Sequence, residues 1–145
     1  MDQEVVRKFR EILRIFEREL DSQNNSSCCC GVTLSQCHTL MELSKTENIT
    51  LNQLSEQLSI DKSAASRTVE NLVTKKMVER SIPKENRRTT NLKLTQTGIN
   101  VCQQINNGND DYYSKAMGTI PADDLAVFLR SFENMVSHMS QLNGE

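Results

Sequence analysis

Three groups of residues in this 145-residue chain have types and spacings that could do recognition chemistry. The first falls between residues 62 and 74, where Ser63, Ser66, Arg67, Glu70, Asn71 and Thr74 recur at helical intervals. That spacing gathers them on one face of a helix. Serine and asparagine offer short hydrogen-bonding groups and arginine a forked donor, the groups that read base edges when a helix end enters a major groove. Lys62 and Thr68 flank the same face, and Lys75 follows the helix end. The second group is PKENRRTTN, residues 83–91, a loop too polar to be buried that carries Lys84, Arg87 and Arg88. A basic loop there can follow phosphates or enter a minor groove, and narrow A·T-rich grooves attract arginine, the role expected of Arg88.

The third group is thiols. Five cysteines, an odd number, and an N-terminus MDQEVVRKFREI without a secretory apolar region argue against a disulfide framework. Cys28, Cys29 and Cys30 are consecutive in a polar segment, Cys37 and His38 follow, and Cys102 lies far along the chain. A thiol-rich loop can wrap a soft ion such as Zn(II), Cu(I) or trivalent arsenic, or be oxidised. The spacing is not the paired Cys-x-x-Cys of a structural zinc site. The plainer reading makes Cys37 and Cys102 small core residues, His38 a surface imidazole and the triple run an accident of a loop. Catalysis is not expected. Cys37 and His38 are adjacent on a helix and point about 100° apart, and neither a glycine-rich phosphate loop nor a Ser-His-Asp set is present.

The elements that must position these groups follow from periodicity. Thr50 can cap a helix in a reciprocal box with Gln53, followed by Leu51, Leu54 and Leu58 on one face. Ser59 to Lys62 reads as a turn plugged by Ile60, with Asp61 or Ser63 capping a second helix whose inward residues are Ala65, Val69, Leu72, Val73 and Met77. Val78, Arg80 and Ile82, then Leu92 and Leu94, alternate at period two, a hairpin. Val5, Val6, Phe9, Ile12, Leu13, Phe16 and Leu20 make an apolar helical stripe over about 3–21. DSQNNSS reads as a linker, and Thr33 to Lys45 as a helix facing inward with Leu34, Cys37, Leu40 and Met41. A helix from Thr95 turns Ile99, Cys102 and Ile105 to the core, with a kink or break at Asn106–Asn109. Pro121, Asp123 and Asp124 start a last helix with an apolar stripe from Leu125 to Leu142.

Net charge is −2, but residues 59–96 hold nine basic and four acidic side chains, +5, leaving −7 elsewhere. Positive charge is concentrated on the proposed reading surface, as an electrostatic footprint for phosphates requires. No segment approaches ~20 consecutive apolar residues, so a membrane span is not expected and a cytoplasmic location is.

The stretch LNQLSEQLSIDKSAASRTVENLVTKKMVER, joined to Asn86, Arg88, Leu94, Thr95 and Gly98, resembles the MarR-type winged helix-turn-helix transcription regulators. Order and spacing follow that family's wing pattern of acidic residue, any residue, arginine, then Leu-Thr and Gly. One position departs: Asn86 stands where the family usually has aspartate.

The resemblance implies a mainly α fold with a small β-hairpin wing: a winged helix-turn-helix DNA-binding lobe over 33–95 within a single domain, 1–145. N- and C-terminal dimerisation helices would span 3–21 and 97–143. It further implies a sequence-specific regulator, a repressor, bound to double-stranded DNA at a near-palindromic operator as a homodimer. Expected DNA contacts are Lys62, Ser63, Ser66, Arg67, Thr68 and Asn71 from the helix, Lys84, Arg87 and Arg88 from the wing, and Lys75 at phosphate. No cofactor is required. An unknown effector, a soft metal, metalloid or oxidant acting on Cys28, Cys29, Cys30, Cys37, His38 or Cys102, would release the DNA. The competing expectation is a winged helix used for protein contact alone, which should lack exposed basic wing residues.

Overall fold

The computed structural model describes residues 2–27 and 31–142. Among them are six helices and three short strands: α1 (Gln3–Ser27), α2 (Leu34–Lys45), β1 (Ile49–Thr50), α3 (Leu51–Gln57), α4 (Lys62–Thr74), β2 (Val78–Ser81), β3 (Asn91–Leu94), α5 (Gln96–Met117) and α6 (Ala122–Leu142). No described helix is long and apolar enough to cross a membrane. The chain divides into two compact units, Met1–Asn106 and Asn107–Glu145.

The core of the first unit is built from α2, α3, α4, the sheet and the start of α5. Leu40, Leu54, Val69, Leu72 and Leu92 are fully enclosed, with Ile49, Val78 and Val101 beside them. Short helices need fixed ends, and reciprocal boxes supply two of them. Thr33 accepts from the Gln36 N–H while the Gln36 side chain accepts from Thr33, and Thr50 and Gln53 do the same for α3. The α3–α4 turn is closed by backbone. Ser59, at φ 53, ends α3 as its N–H donates to Glu56 O (3.1 Å) and the Ile60 N–H to Ser55 O (3.1 Å). Ile60 is therefore not the plug its type suggested; it is 38% exposed. Asp61 Oδ1 then accepts from the Ala64 N–H at 2.8 Å and starts α4. The same left-handed stop ends α4 at Lys76, φ 58, with Lys76 and Met77 N–H groups donating back to Val73 and Leu72 carbonyls, both at 2.9 Å.

The wing is one strand larger than expected. β1 joins the hairpin to give the antiparallel order β1-β3-β2, with Ile49 opposite Leu92 and Val78 opposite Leu94. Two residues are too few for alternation to show. At the base of the sheet, the Thr95 N–H donates to Met77 O (3.1 Å), the Thr95 hydroxyl donates to Lys76 O (2.7 Å), and that hydroxyl oxygen accepts from the Gly98 N–H (3.1 Å). Gly98 is buried, and a Cβ on it would stand 2.1 Å from the Met77 carbonyl oxygen.

Other expectations shift. The polar stretch Asp21–Ser27 continues α1 instead of forming a linker, since Asp, Ser and Asn each cost only a few tenths of a kcal/mol more than alanine in a helix. α5 runs unbroken through Asn106–Asn109 as well, although Gly108 there costs about 1 kcal/mol relative to alanine, and the boundary between the two units falls within that stretch. Leu34, the first residue of α2, is 44% exposed, and Leu43 takes the inward place expected of it. Ile99 is 38% exposed and Val101 is buried with Cys102 instead. In the second unit Pro121 O accepts from Asp124 and Leu125 N–H groups (2.9 and 3.1 Å), so proline stands just ahead of α6. Phe128 and Phe132 stack at 5.8 Å, yet no residue of α6 is buried.

Replacing Gly98 by alanine should destabilise the chain by at least the 1–3 kcal/mol typical of overpacking, because the obstacle is a backbone oxygen. Urea unfolding monitored by circular dichroism checks this; an unchanged midpoint would contradict the close approach.

Candidate nucleic-acid interface

α4 presents two faces. Ala65, Val69 and Leu72 are buried, whereas Lys62, Ser63, Arg67, Glu70, Asn71 and Thr74 are exposed. Ser66 and Thr68 are half-buried, and the Thr68 hydroxyl donates to Ala64 O at 3.1 Å. Ser66 contributes through its backbone as well, its carbonyl accepting from Arg80 Nη2 at 3.3 Å. Arg80 stands on β2, so a wing strand is tied to the first half of the helix. Sequence reasoning placed Arg80 in a strand without assigning it a role, because a hydrogen bond to a main-chain carbonyl leaves no pattern in side chains.

The wing loop consists of two successive turns, with the Asn86 N–H donating to Pro83 O (3.2 Å) and the Thr89 N–H to Asn86 O (3.1 Å). The Asn86 side-chain oxygen accepts from the Arg88 N–H at 3.2 Å. The Asn86 amide oxygen thus closes the turn that carries Arg88. Lys84, Arg87 and Arg88 are all exposed.

Lys62 and Arg88 border one recess of about 140 Å³, shared with Thr50, Asn52, Thr89 and Thr90. The start of α4 and the return of the wing therefore meet. Lys75 lies elsewhere, beyond the opposite end of α4 and about 20 Å along its axis from Lys62. Its ammonium donates to Gly31 O and to Gln36 Oε1 (3.0 Å), which occupies it with the approach to α2.

Among the described residues the thiols are Cys37 and Cys102. Cys28, Cys29 and Cys30 lie outside the described residues. Cys37 is half-buried against the core, and His38 is exposed. Cys102 is 4% exposed with Sγ 3.5 Å from Leu40 O. Burial first, and then the neighbouring Cys37, push the Cys102 thiol up from its ordinary value, so it keeps its proton at neutral pH. Among the described residues, no three His, Cys, Asp or Glu side chains are placed to hold a metal ion.

A helix, a tight turn, a second helix with an exposed polar face and a small antiparallel wing define a winged helix-turn-helix. Residues 32–90, which hold most of this lobe, match the family model described as MarR family. Solved structures agree in fold. A MarR family protein from Bacillus stearothermophilus aligns at TM-score 0.83 and 16% identity over 97% of this chain and 99% of that one. Streptococcus pneumoniae FabT, solved in complex with DNA, aligns at 0.82 and 19%, again over 97% and 99%. A mutant Escherichia coli MarR complexed with operator DNA aligns at 0.74 and 24% over 93% and 99%. No curated protein sequence matches the chain.

The raised Cys102 pKa has a defined sign in stability. The folded state holds that proton more tightly than the unfolded one, so the contribution is complete below the unfolded thiol's range and is lost as pH rises from there through the folded thiol's higher range. Stability should therefore fall with alkaline pH, less steeply in Cys102→Ala, and iodoacetamide should modify Cys37 well before Cys102. Equal alkylation rates, or parallel pH profiles, would contradict the buried, protonated thiol.

Proposed function

We propose that this chain is a sequence-specific DNA-binding transcription regulator, a repressor that acts as a homodimer on a near-palindromic operator. The observation that carries the proposal is the convergence of the exposed polar face of α4 with a cationic wing, where Lys62 and Arg88 share one recess. The surrounding stretch, 59–96, holds +5 of charge in a chain of net −2, which favours a polyanion over a protein partner. The similar fold of FabT and of MarR, each solved with DNA, supports the same partner.

In this reading Ser63, Ser66 and Arg67 meet base edges, with Thr68 and Asn71 beside them, and Lys84 and Arg87 meet phosphates. Support for the dimer is the apolar surface left on the terminal helices. Val5, Phe9, Ile12 and Phe16 of α1 and Phe128, Leu129, Phe132 and Val136 of α6 are all exposed in the single chain. Burying such a side chain from full exposure is worth about 1.5–3 kcal/mol, and with 38–58% of each still exposed roughly half of that remains to be gained. Pairing would also set two reading heads ~34 Å apart on one duplex face. Release by a thiol-reactive effector belongs to this reading, with Cys28, Cys29, Cys30 and the half-buried Cys37 as its targets and zinc, arsenite or a peroxide as the reagents to try.

Operator sequences selected from random DNA provide the assay. Arg67→Ala should weaken binding by about 1–3 kcal/mol at one base pair of each half-site, whereas Lys84→Ala should weaken all sequences alike and flatten the salt dependence. Equal losses on every sequence for Arg67→Ala would remove it from base reading. Sedimentation at monomer mass would remove the dimer. Binding insensitive to zinc, arsenite and peroxide, with a Cys28/Cys29/Cys30 triple serine variant like wild type, would remove the thiol effector.

A further inference from the structure

α5 contains two glycines that stand in opposite surroundings. Gly98 is demanded by packing, because a Cβ on it would stand 2.1 Å from the Met77 carbonyl oxygen, whereas a Cβ on Gly108 would meet nothing within 4 Å. Gly108 is exposed and lies within Asn106-Asn107-Gly108-Asn109-Asp110-Asp111, six consecutive residues from the poor end of the helix scale. Side-chain bonds brace α5 before and after Asn106–Asp110, from Gln96 to Asn100 at 3.0 Å and from Lys115 to Asp111 at 2.7 Å. The boundary between the two compact units falls between Asn106 and Asn107. Poor propensity, exposure and a packing boundary coincide at one turn of helix. Those are the conditions under which a helix opens locally while the fold stays intact.

That turn carries a reactive pair. Asn107 is followed by glycine, so no side chain shields the Gly108 nitrogen from the carboxamide carbon of Asn107, Cγ. While α5 is closed, the Gly108 N–H is committed to the carbonyl four residues back, and helical backbone angles hold its nitrogen away from Cγ. Opening of the turn releases both constraints. The Gly108 nitrogen then bonds to Cγ, the Cγ–N bond of the carboxamide breaks, and ammonia leaves with the proton that the Gly108 nitrogen gives up. The product is a succinimide ring. Water opens it at Cγ to give aspartate, or at the main-chain carbonyl to give isoaspartate, and nothing is oxidised or reduced.

We propose that Asn107–Gly108 is a self-modification site, an asparagine that converts to aspartate and isoaspartate at a rate set by local opening of α5. The proposal is independent of the DNA-binding reading. Isoaspartate runs the main chain through Cγ and lengthens it by a methylene, so the helical hydrogen-bond pattern is lost across residue 107. Aspartate at 107 adds a carboxylate three and four residues ahead of Asp110 and Asp111, where like charges oppose the helix. Either product weakens α5 where one unit ends and the other begins.

The test incubates the folded chain at mildly alkaline pH and follows the peptide containing Asn107 by mass spectrometry, with isoaspartate scored by an isoaspartate-specific O-methyltransferase. The other Asn-Gly pair, Asn143–Gly144, lies outside the described residues and is read on a separate peptide. Conversion at Asn107 should proceed in the folded chain, more slowly than in a synthetic peptide of residues 104–111, at a rate unaffected by urea below the unfolding transition. Asn106→Ala/Asn109→Ala keeps the reacting pair and improves the helix, and should slow conversion roughly fivefold. Hydrogen exchange should be faster at the Gly108 amide than at that of Val101 in the same helix.

Asn107 still intact once the peptide has fully converted would overturn the proposal. A rate that climbs with urea in step with global unfolding, or one unchanged in the double alanine variant, would overturn it as well.

Discussion

The Met77 carbonyl oxygen is the point on which the lobe turns. It accepts the Thr95 N–H, and the Gly98 backbone packs against it with no room for a side chain. Met77 follows directly on the left-handed stop at Lys76 that ends α4, while Thr95 and Gly98 open α5. One oxygen thus fixes the exit of one helix, the entrance of another and the spacing of the two wing strands between them. A buried carbonyl left without its partner costs about 1–3 kcal/mol, so the junction is kept or lost as a unit.

From that junction the placement of the wing against α4 follows with few free parameters. Antiparallel pairing of β2 with β3 sets the wing beside α4, and Arg80 fastens β2 to the Ser66 carbonyl. β1 fastens β3 to the start of α3, which brings Thr50 and Asn52 against Thr89 and Thr90. The cationic recess is therefore a product of main-chain hydrogen bonding, and only its charges depend on long side chains. Polar residues on the outer face of α4 then differ from those of the recess in kind. They project from a rigid cylinder, spaced three and four residues apart along one face.

Features carried by side chains were legible beforehand. The Thr50–Gln53 box, the inward row Ala65, Val69 and Leu72, the alternation of the hairpin and the Leu94-Thr95…Gly98 pattern all reappear in space. Features carried by backbone were not. Ile60 looked like a plug because apolar residues in turns often are, but two main-chain bonds at Ser59 and Ile60 do the closing. β1 is two residues long, below the length at which any period can be seen. Asp21–Ser27 and Asn106–Asn109 looked like breaks because their helix propensities are poor, yet the penalty per residue is small beside the cooperativity of a long helix. The meeting of Lys62 with Arg88 was beyond the sequence because it depends on how the β1–β3 register folds the wing back.

Lys75 gives the far end of α4 a tether. It follows the last residue of that helix, and its ammonium holds both the Gly31 carbonyl and the Gln36 side chain, joining α4 to the threshold of α2. Gly31 is bonded in sequence to Cys30, last of three consecutive thiols. A bulky or charged adduct on Cys30 would be separated from the carbonyl that Lys75 holds by the single residue Gly31.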